Sequence, residues 1–357
     1  MFNKSHGRKF TAAAIAATLG VSLIACSSGG TDTKPGEEKP AELQKVTFMT
    51  DVAFLPKHAP FFSAIEQGFF EREGIELEIM PGSGSNNTVV AVETNKVNFG
   101  WADFAVTTLN RARGAQVKQV ALVQGGDAYA AVTLPESGIK TFKDLKGKRV
   151  ATEGAGAMTS MWPLALEKSG LKESDVEVIH AAGEAKIPGL LSGQWDATLA
   201  LFVSDGPVLV GLGYEPVLLK WRDIGISLYG NGIVASEDTM KNDPDLVKRF
   251  TKAMTEGFMH ACDNQEQTVK DLMKNVIGLE EKAVEMATEG QCDLMWSEEN
   301  EELGYGAMSD EGVQTVIDIA GKYLGLENAD TLKASDVYTN EFTTPIPHGT
   351  TIKAVKK

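Results

Sequence analysis

Strand and helix patterns alternate along most of this chain, which restricts it to an α/β architecture with a mainly parallel sheet. Val46 and Phe48 mark a first strand, and Phe61, Phe62 and Ile65 open a helical pattern. Between them Asp51, Val52, Ala53, Phe54, Leu55, Pro56, Lys57, His58, Ala59 and Pro60 form a strand-to-helix turn. Ligands of open α/β sheets bind beyond the carboxyl ends of strands. A turn at such an end that carries Phe54, Lys57, His58 and two prolines suits a pocket wall better than a connector.

The unit then repeats. Residues 75–79 alternate with period two, and the Gly/Ser/Asn turn at 81–88 caps a helix carrying Val89, Val90 and Val92. A strand is predicted over 97–101, ending in Trp101, Ala102 and Asp103; a helix starts at Thr107; a further strand over 117–123 ends at Gln124 and Asp127. The pattern restarts near Thr141. Strands over 150–152, 176–180 and 197–202 alternate with helices over 159–166 and 187–192. Tyr229 to Ala235 returns to the first set, and Leu246, Val247, Phe250, Met254 and Phe258 then recur at helical spacing. About 310 residues from Gln44 onward are too many for one ordinary core. The expectation is two α/β lobes: lobe 1 over 44–130 and 232–350, lobe 2 over 131–231, with crossovers near 128–135 and 229–235. A double hinge of this kind lets two lobes close on a ligand.

The N-terminus reads as a lipoprotein signal over 1–25. Lys4, Arg8 and Lys9 precede an apolar stretch too short to span a bilayer, and Leu23, Ile24 and Ala25 lead into Cys26. Lipidation of Cys26 is expected, anchoring the chain to a membrane. Residues 27–43 are rich in Ser, Gly, Thr, Pro and Glu without hydrophobic period, a tether reaching on the order of 20–25 Å. The formal charge is −15, with no basic stripe, which argues against nucleic acid. Cys262 and Cys292 remain; in an exported chain they are either a disulfide or two buried thiols. No Cys/His cluster suggests a metal.

At the level of motifs the chain resembles the thiamine-pyrimidine-synthase-like group of substrate-binding proteins of ABC importers. The resemblance rests on His58-Ala59-Pro60-Phe61-Phe62, Gly68-Phe69-Phe70, Glu73-Gly74-Ile75, Pro81-Gly82-Ser83-Gly84-Ser85, Asp144-Leu145-Lys146-Gly147-Lys148-Arg149-Val150 and Tyr338-Thr339-Asn340-Glu341-Phe342. It implies an α/β, periplasmic-binding-protein-like fold: two lobes joined by a double-crossover hinge, with a helical C-terminal region. The group includes receptors for nitrate, sulfonates, taurine and pyrimidine or riboflavin precursors. It also resembles fungal enzymes that build the thiamine pyrimidine from pyridoxal phosphate and their own histidine. Here Ala102 stands where their lysine would be and Val106 where their histidine would be, and residues 226–231 lack their cysteines. The resemblance therefore implies a non-catalytic receptor without cofactor.

Strand ends in both lobes supply the candidate ligand residues. They are Phe54, Lys57, His58, Ser83, Ser85, Asn86, Trp101, Asp103 and Asp127 from lobe 1 and Gly156, Met158, Thr159, Trp162 and Asp205 from lobe 2, with Tyr229 and Asn231 at the crossover. His58 is placed to donate to a ring nitrogen or carbonyl, or else faces solvent at a helix entry. Trp101 is placed to stack on a flat heteroaromatic, or else is a core residue. Asp103, Asp127 and Asp205 suit amino groups or a protonated ring, or else cap helices and turns. The glycines over 154–156 open a helix whose free N–H groups suit an anion or carbonyl, or else form a plain turn. Lys57 is the sole cation among these loops, which fits a neutral or weakly basic planar ring better than nitrate or a sulfonate. The expected molecule is a monomeric, envelope-located receptor working with an ABC permease; an anion receptor and a pyrimidine synthase are the competing readings.

Overall fold

The computed structural model describes residues 43–154, 157–327 and 329–356. Two five-stranded sheets organise it. In the first, β1 (Gln44–Met49), β2 (Ile75–Met80), β3 (Phe99–Asp103) and β4 (Val117–Leu122) come from the N-terminal portion. In the second lie β5 (Tyr129–Thr133), β6 (Arg149–Thr152), β7 (Glu177–His180), β8 (Ala197–Leu201) and β9 (Val217–Lys220). The chain then returns, and β10 (Asn231–Ser236) joins the first sheet. Strand orders are β2-β1-β3-β10-β4 and β7-β6-β8-β5-β9.

Both sheets are mixed: four strands of each run in one direction, in keeping with the mainly parallel expectation, and one runs against them. β10 runs antiparallel to β3 and β4, and β5 antiparallel to β8 and β9. These are the strands that follow the two crossovers, so each enters its sheet from the cleft side. Their run lengths and composition resemble those of parallel strands, so only pairing reveals the direction. Strand β5 begins at Tyr129, within the 128–135 span expected for the first crossover. Strands β5 and β9 were not anticipated as separate elements.

Local chemistry accounts for the main helices. Asp103 caps Phe104–Ala112, its carboxylate accepting from the Val106 N–H at 2.9 Å. Asp243 caps Pro244–Asp263 through the Leu246 N–H at 3.1 Å, with Pro244 in the first turn where it loses no hydrogen bond. The buried stripe of that helix packs on the first sheet: Phe250 stacks on Phe99 with centroids 3.9 Å apart. A disulfide joins Cys262 at the end of this helix to Cys292 in Glu281–Leu294, with Cα atoms 5.4 Å apart. The C-terminal region does more than complete the first lobe. Val313, Val316 and Ile317 of Asp310–Tyr323 share one apolar cluster with Trp162 and Trp221 beside the second sheet.

Candidate functional site

The carboxyl ends of β1, β3 and β4 and the start of β10 lie on one edge of the first sheet. The ends of β6 and β8 and the start of β5 lie on one edge of the second. Residues from both edges line a cavity of about 80 Å³. The first lobe contributes Asp51, Lys57, Ser85 and Asp103; the crossovers contribute Gln124, Asp127, Gly230 and Asn231; the second lobe contributes Tyr129, Leu201 and Val203.

Asp51 is the hub of the first wall. Its Oδ2 accepts from Lys57 Nζ at 2.6 Å and from Asn231 Nδ2 at 3.4 Å, and its Oδ1 accepts from His58 Nε2 at 3.0 Å. His58 Nδ1 accepts from the Leu55 N–H at 2.9 Å, so the ring is neutral with its proton on Nε2. Burial alone would push the Asp51 carboxyl up; Lys57 and then His58 outweigh it and hold the carboxyl far below the usual range. Burial pushes His58 below its usual value despite Asp51. Lys57 Nζ also sits 5.2 Å from the centroid of Trp101.

Two further acids line the cavity. Asp103 Oδ2 accepts from the Tyr129 O–H at 3.1 Å, a hydrogen bond from one sheet to the other. Asp127 Oδ1 accepts from the Tyr129 N–H at 3.0 Å, while its buried Oδ2 has no partner among the described residues. Burial raises both carboxyls, Asp127 to about 7. Burial, and then the facing Asp103 and Asp127, push the Tyr129 phenol well above its usual value. Gln124 fixes the hinge: its Oε1 accepts from the Asn231 N–H at 2.8 Å and its Nε2 donates to Gln291 at 2.8 Å.

Of the residues singled out from sequence, Lys57, Ser85, Asp103, Asp127 and Asn231 line this cavity. The others do not. Trp101 is fully buried, in T-shaped contact with Phe61 at 4.8 Å and with His58 at 5.4 Å. His58 has both ring nitrogens engaged and lies one layer behind the wall; Phe54 packs edge-on against Phe62. Ser83 and Asn86 are exposed and bonded to Asn87 and Asn110. In the second lobe Thr159 bonds to the Glu153 carbonyl, and Met158 and Trp162 join the apolar cluster. Asp205 accepts from the Leu201 N–H at 3.3 Å and faces Lys186 Nζ at 3.7 Å. Tyr229 sits at the second crossover, its hydroxyl accepting from the Ser309 N–H at 3.0 Å. Gly156 and Cys26 lie outside the described residues.

Sequence reasoning passed over Asp51, Gln124 and Tyr129. Asp51 and Gln124 follow β1 and β4 directly, so the strand-end rule that found Asp103 would have reached them. Tyr129 begins an antiparallel strand, and the rule points to the wrong end of such a strand. Among the described residues no group of three or more His, Cys, Asp or Glu side chains is placed to hold a metal ion. A wider groove of about 1310 Å³ runs beside Asp310, Gln314 and Lys322, sharing none of the strand-end residues.

A family model described as "NMT1/THI5 like" matches residues 55–268. The chain is 31% identical over 238 residues to a 4-amino-5-hydroxymethyl-2-methylpyrimidine phosphate synthase of Schizosaccharomyces pombe, across 64% of this chain and 68% of that protein. It is 24% identical over 267 residues to the riboflavin-binding protein RibY of Chloroflexus aurantiacus, across 70% of this chain and 75% of that one. Among solved structures it resembles the periplasmic aliphatic sulphonate binding protein SsuA from Escherichia coli. That likeness has a TM-score of 0.65 at 15% identity and covers 87% of this chain and 95% of SsuA.

Proposed function

Given that this chain belongs to the NMT1/THI5 like family, we propose that it is the solute-binding component of an ABC importer, lipid-anchored at Cys26, which holds a small planar nitrogen heterocycle between two closing lobes. The observation that carries this reading is the lining of the interlobe cavity. Its one cation among the described residues, Lys57, is bound to Asp51 at 2.6 Å, while Asp103 and Asp127 face the same space as acceptors. Such a wall favours N–H donors over oxyanions. A thiamine-pyrimidine precursor or a riboflavin-like compound meets that requirement; a sulfonate, nitrate or aromatic carboxylate would face uncompensated carboxylates.

The likeness to the fission-yeast synthase favours one second reading, an enzyme that makes a pyrimidine. Against it, the position matched to the catalytic lysine is Ala102, fully buried in β3, and that matched to the histidine is Val106 in the first turn of a helix. Purified synthase would carry the absorbance of bound pyridoxal phosphate; a colourless protein that binds free heterocycle would dispose of that reading.

A thermal-shift panel tests the receptor. A ligand at a hundred times its Kd adds about 2.7 kcal/mol of stability. We expect pyrimidine or flavin compounds to raise Tm and aliphatic sulfonates to leave it unchanged; the opposite pattern would reject the heterocycle reading.

A further inference from the structure

A second cavity, of about 220 Å³, lies beside the disulfide and shares no lining residue with the one between the sheets. Helical spacing explains its floor. Met259 precedes Cys262 by one turn on Pro244–Asp263, and Met295 follows Cys292 by one turn, keeping helical backbone as the C-cap of Glu281–Leu294. Residues three apart are neighbours on a helix surface, so each thioether accompanies a bridged cysteine. The bridge holds the cysteine Cα atoms 5.4 Å apart, and both methionines, themselves buried, line the one cavity.

The remaining wall is a loop fixed on either side. The Ile346 N–H donates to the Tyr305 carbonyl at 3.1 Å, and His260 Nδ1 meets the Ile352 carbonyl at 3.0 Å. Between these anchors the Thr350 N–H donates to the Pro347 carbonyl at 3.1 Å and closes a turn. That turn sets His348 against Trp296, ring centroids 4.6 Å apart and planes at 89°. No hydrogen bond among the described residues occupies either ring nitrogen of His348.

Two thioethers, an imidazole and an indole around one small space are a soft donor set. Thioether sulfur selects Cu(I)-like ions, imidazole ligates the same ions through a ring nitrogen, and an indole face attracts a cation. The two cysteines do not compete, because each is bonded to the other. Zn(II) favours several thiolates, imidazoles or carboxylates, and this lining offers one imidazole and one carboxylate, Asp263. We propose that the cavity binds a soft monovalent cation, Cu(I) or its analogue Ag(I), through the Met259 and Met295 sulfurs and the His348 imidazole. Trp296 lies beside the ion and Asp263 offsets its charge. Binding fastens the 347–350 turn to the two bridged helices. The site stands apart from the interlobe cavity and does not depend on the receptor reading.

Silver(I) titration of the full-length chain tests this, in chloride-free buffer. Cys26, the one cysteine outside the bridge, is first alkylated with iodoacetamide so that no free thiol competes. Calorimetry and tryptophan emission read the binding. The expected result is one equivalent bound, quenched emission, a raised Tm and far weaker binding of Zn(II). His348→Ala and the Met259→Leu, Met295→Leu double variant should each weaken Ag(I) roughly tenfold or more, the scale on which even a ligand's outer partners count. Trp296→Phe should abolish the quenching. Leucine conserves the volume of methionine, and His348 is exposed, so both ligand variants keep the fold. Absence of a one-equivalent phase, Zn(II) binding as tight as Ag(I), or unchanged Ag(I) affinity in His348→Ala and in the double variant would overturn the proposal and leave the methionines as core packing.

Discussion

Asp51 illustrates how one buried charge organises a wall. It receives Lys57, His58 and Asn231, and Asp51, Lys57 and His58 are all buried. Replacing it by alanine leaves the Lys57 ammonium buried without a partner, a change that costs about 3–5 kcal/mol. Chemical denaturation of Asp51→Ala should show a loss of that order; a loss near zero would mean that Lys57 swings out to water. The pH dependence follows from the depressed carboxyl. A group whose folded pKa lies below its unfolded value contributes stability above the ordinary carboxylate range, and that stability is lost as pH falls through and below it. Asp127 has the opposite sign, because its folded pKa of about 7 lies above the unfolded value. Its stabilising contribution is complete in acid and declines as pH rises toward 7. Asp127→Asn should therefore raise the Tm of the empty protein more at pH 8 than at pH 5. Equal shifts at both pH values would indicate that the carboxyl titrates normally.

At the scale of elements, the helix Glu281–Leu294 is the strut of the hinge. Its Cys292 is bonded to Cys262, Gln291 accepts from Gln124, the Leu294 carbonyl accepts from the Gly126 N–H, and Asp293 holds Lys220 at 2.9 Å. One short segment thus ties the helix Pro244–Asp263, the first crossover and the second sheet. The disulfide closes a loop of 30 residues, for which removal costs about 2–4 kcal/mol. We expect the Cys262→Ser, Cys292→Ser double variant to melt lower by that amount and to bind heterocycle more weakly. A thiol reductant should reproduce both effects in the wild type only. A lower Tm with unchanged affinity would confine the bridge to a role in stability. The sequence left these cysteines open between a disulfide and two buried thiols. Helical spacing placed each on its helix, but two helices 30 residues apart can meet or miss, and only packing decides.

At the scale of the whole molecule, the Tyr129 hydroxyl is the direct bond between the sheets at the cavity, reaching Asp103 at 3.1 Å. If closure captures the ligand, this bond belongs to the closed form. Tyr129→Phe removes it while keeping the ring packed 5.1 Å from Trp221. A hydrogen bond to a charged group contributes about 1.5–3 kcal/mol. Ligand affinity should therefore fall roughly tenfold or more, and X-ray scattering should show a larger radius of gyration in the empty variant, restored by ligand. An unchanged radius and affinity would mean that closure does not use this contact.

Much of the architecture was legible in the amino-acid order because it is set by local physics. A period-two run placed β2, helical spacing placed the long helix carrying Phe250, a strand-end rule reached Lys57, Ser85, Asp103 and Asp127, and the second crossover supplied Asn231. Tertiary structure decided the rest. Whether His58 and Trp101 look into the cleft or behind it depends on a side-chain layer that periodicity does not resolve, since a strand end has two faces and both are apolar here. The direction of β5 and β10 depends on which strand each one pairs with after a crossover. The partners of Asp51 and the unpartnered oxygen of Asp127 depend on chain segments up to 180 residues apart. Sequence thus determined that this chain builds two sheets with functional residues at their ends. Burial, which sets both hydrogen-bond partners and the energy of each charge, came only from bringing those ends together.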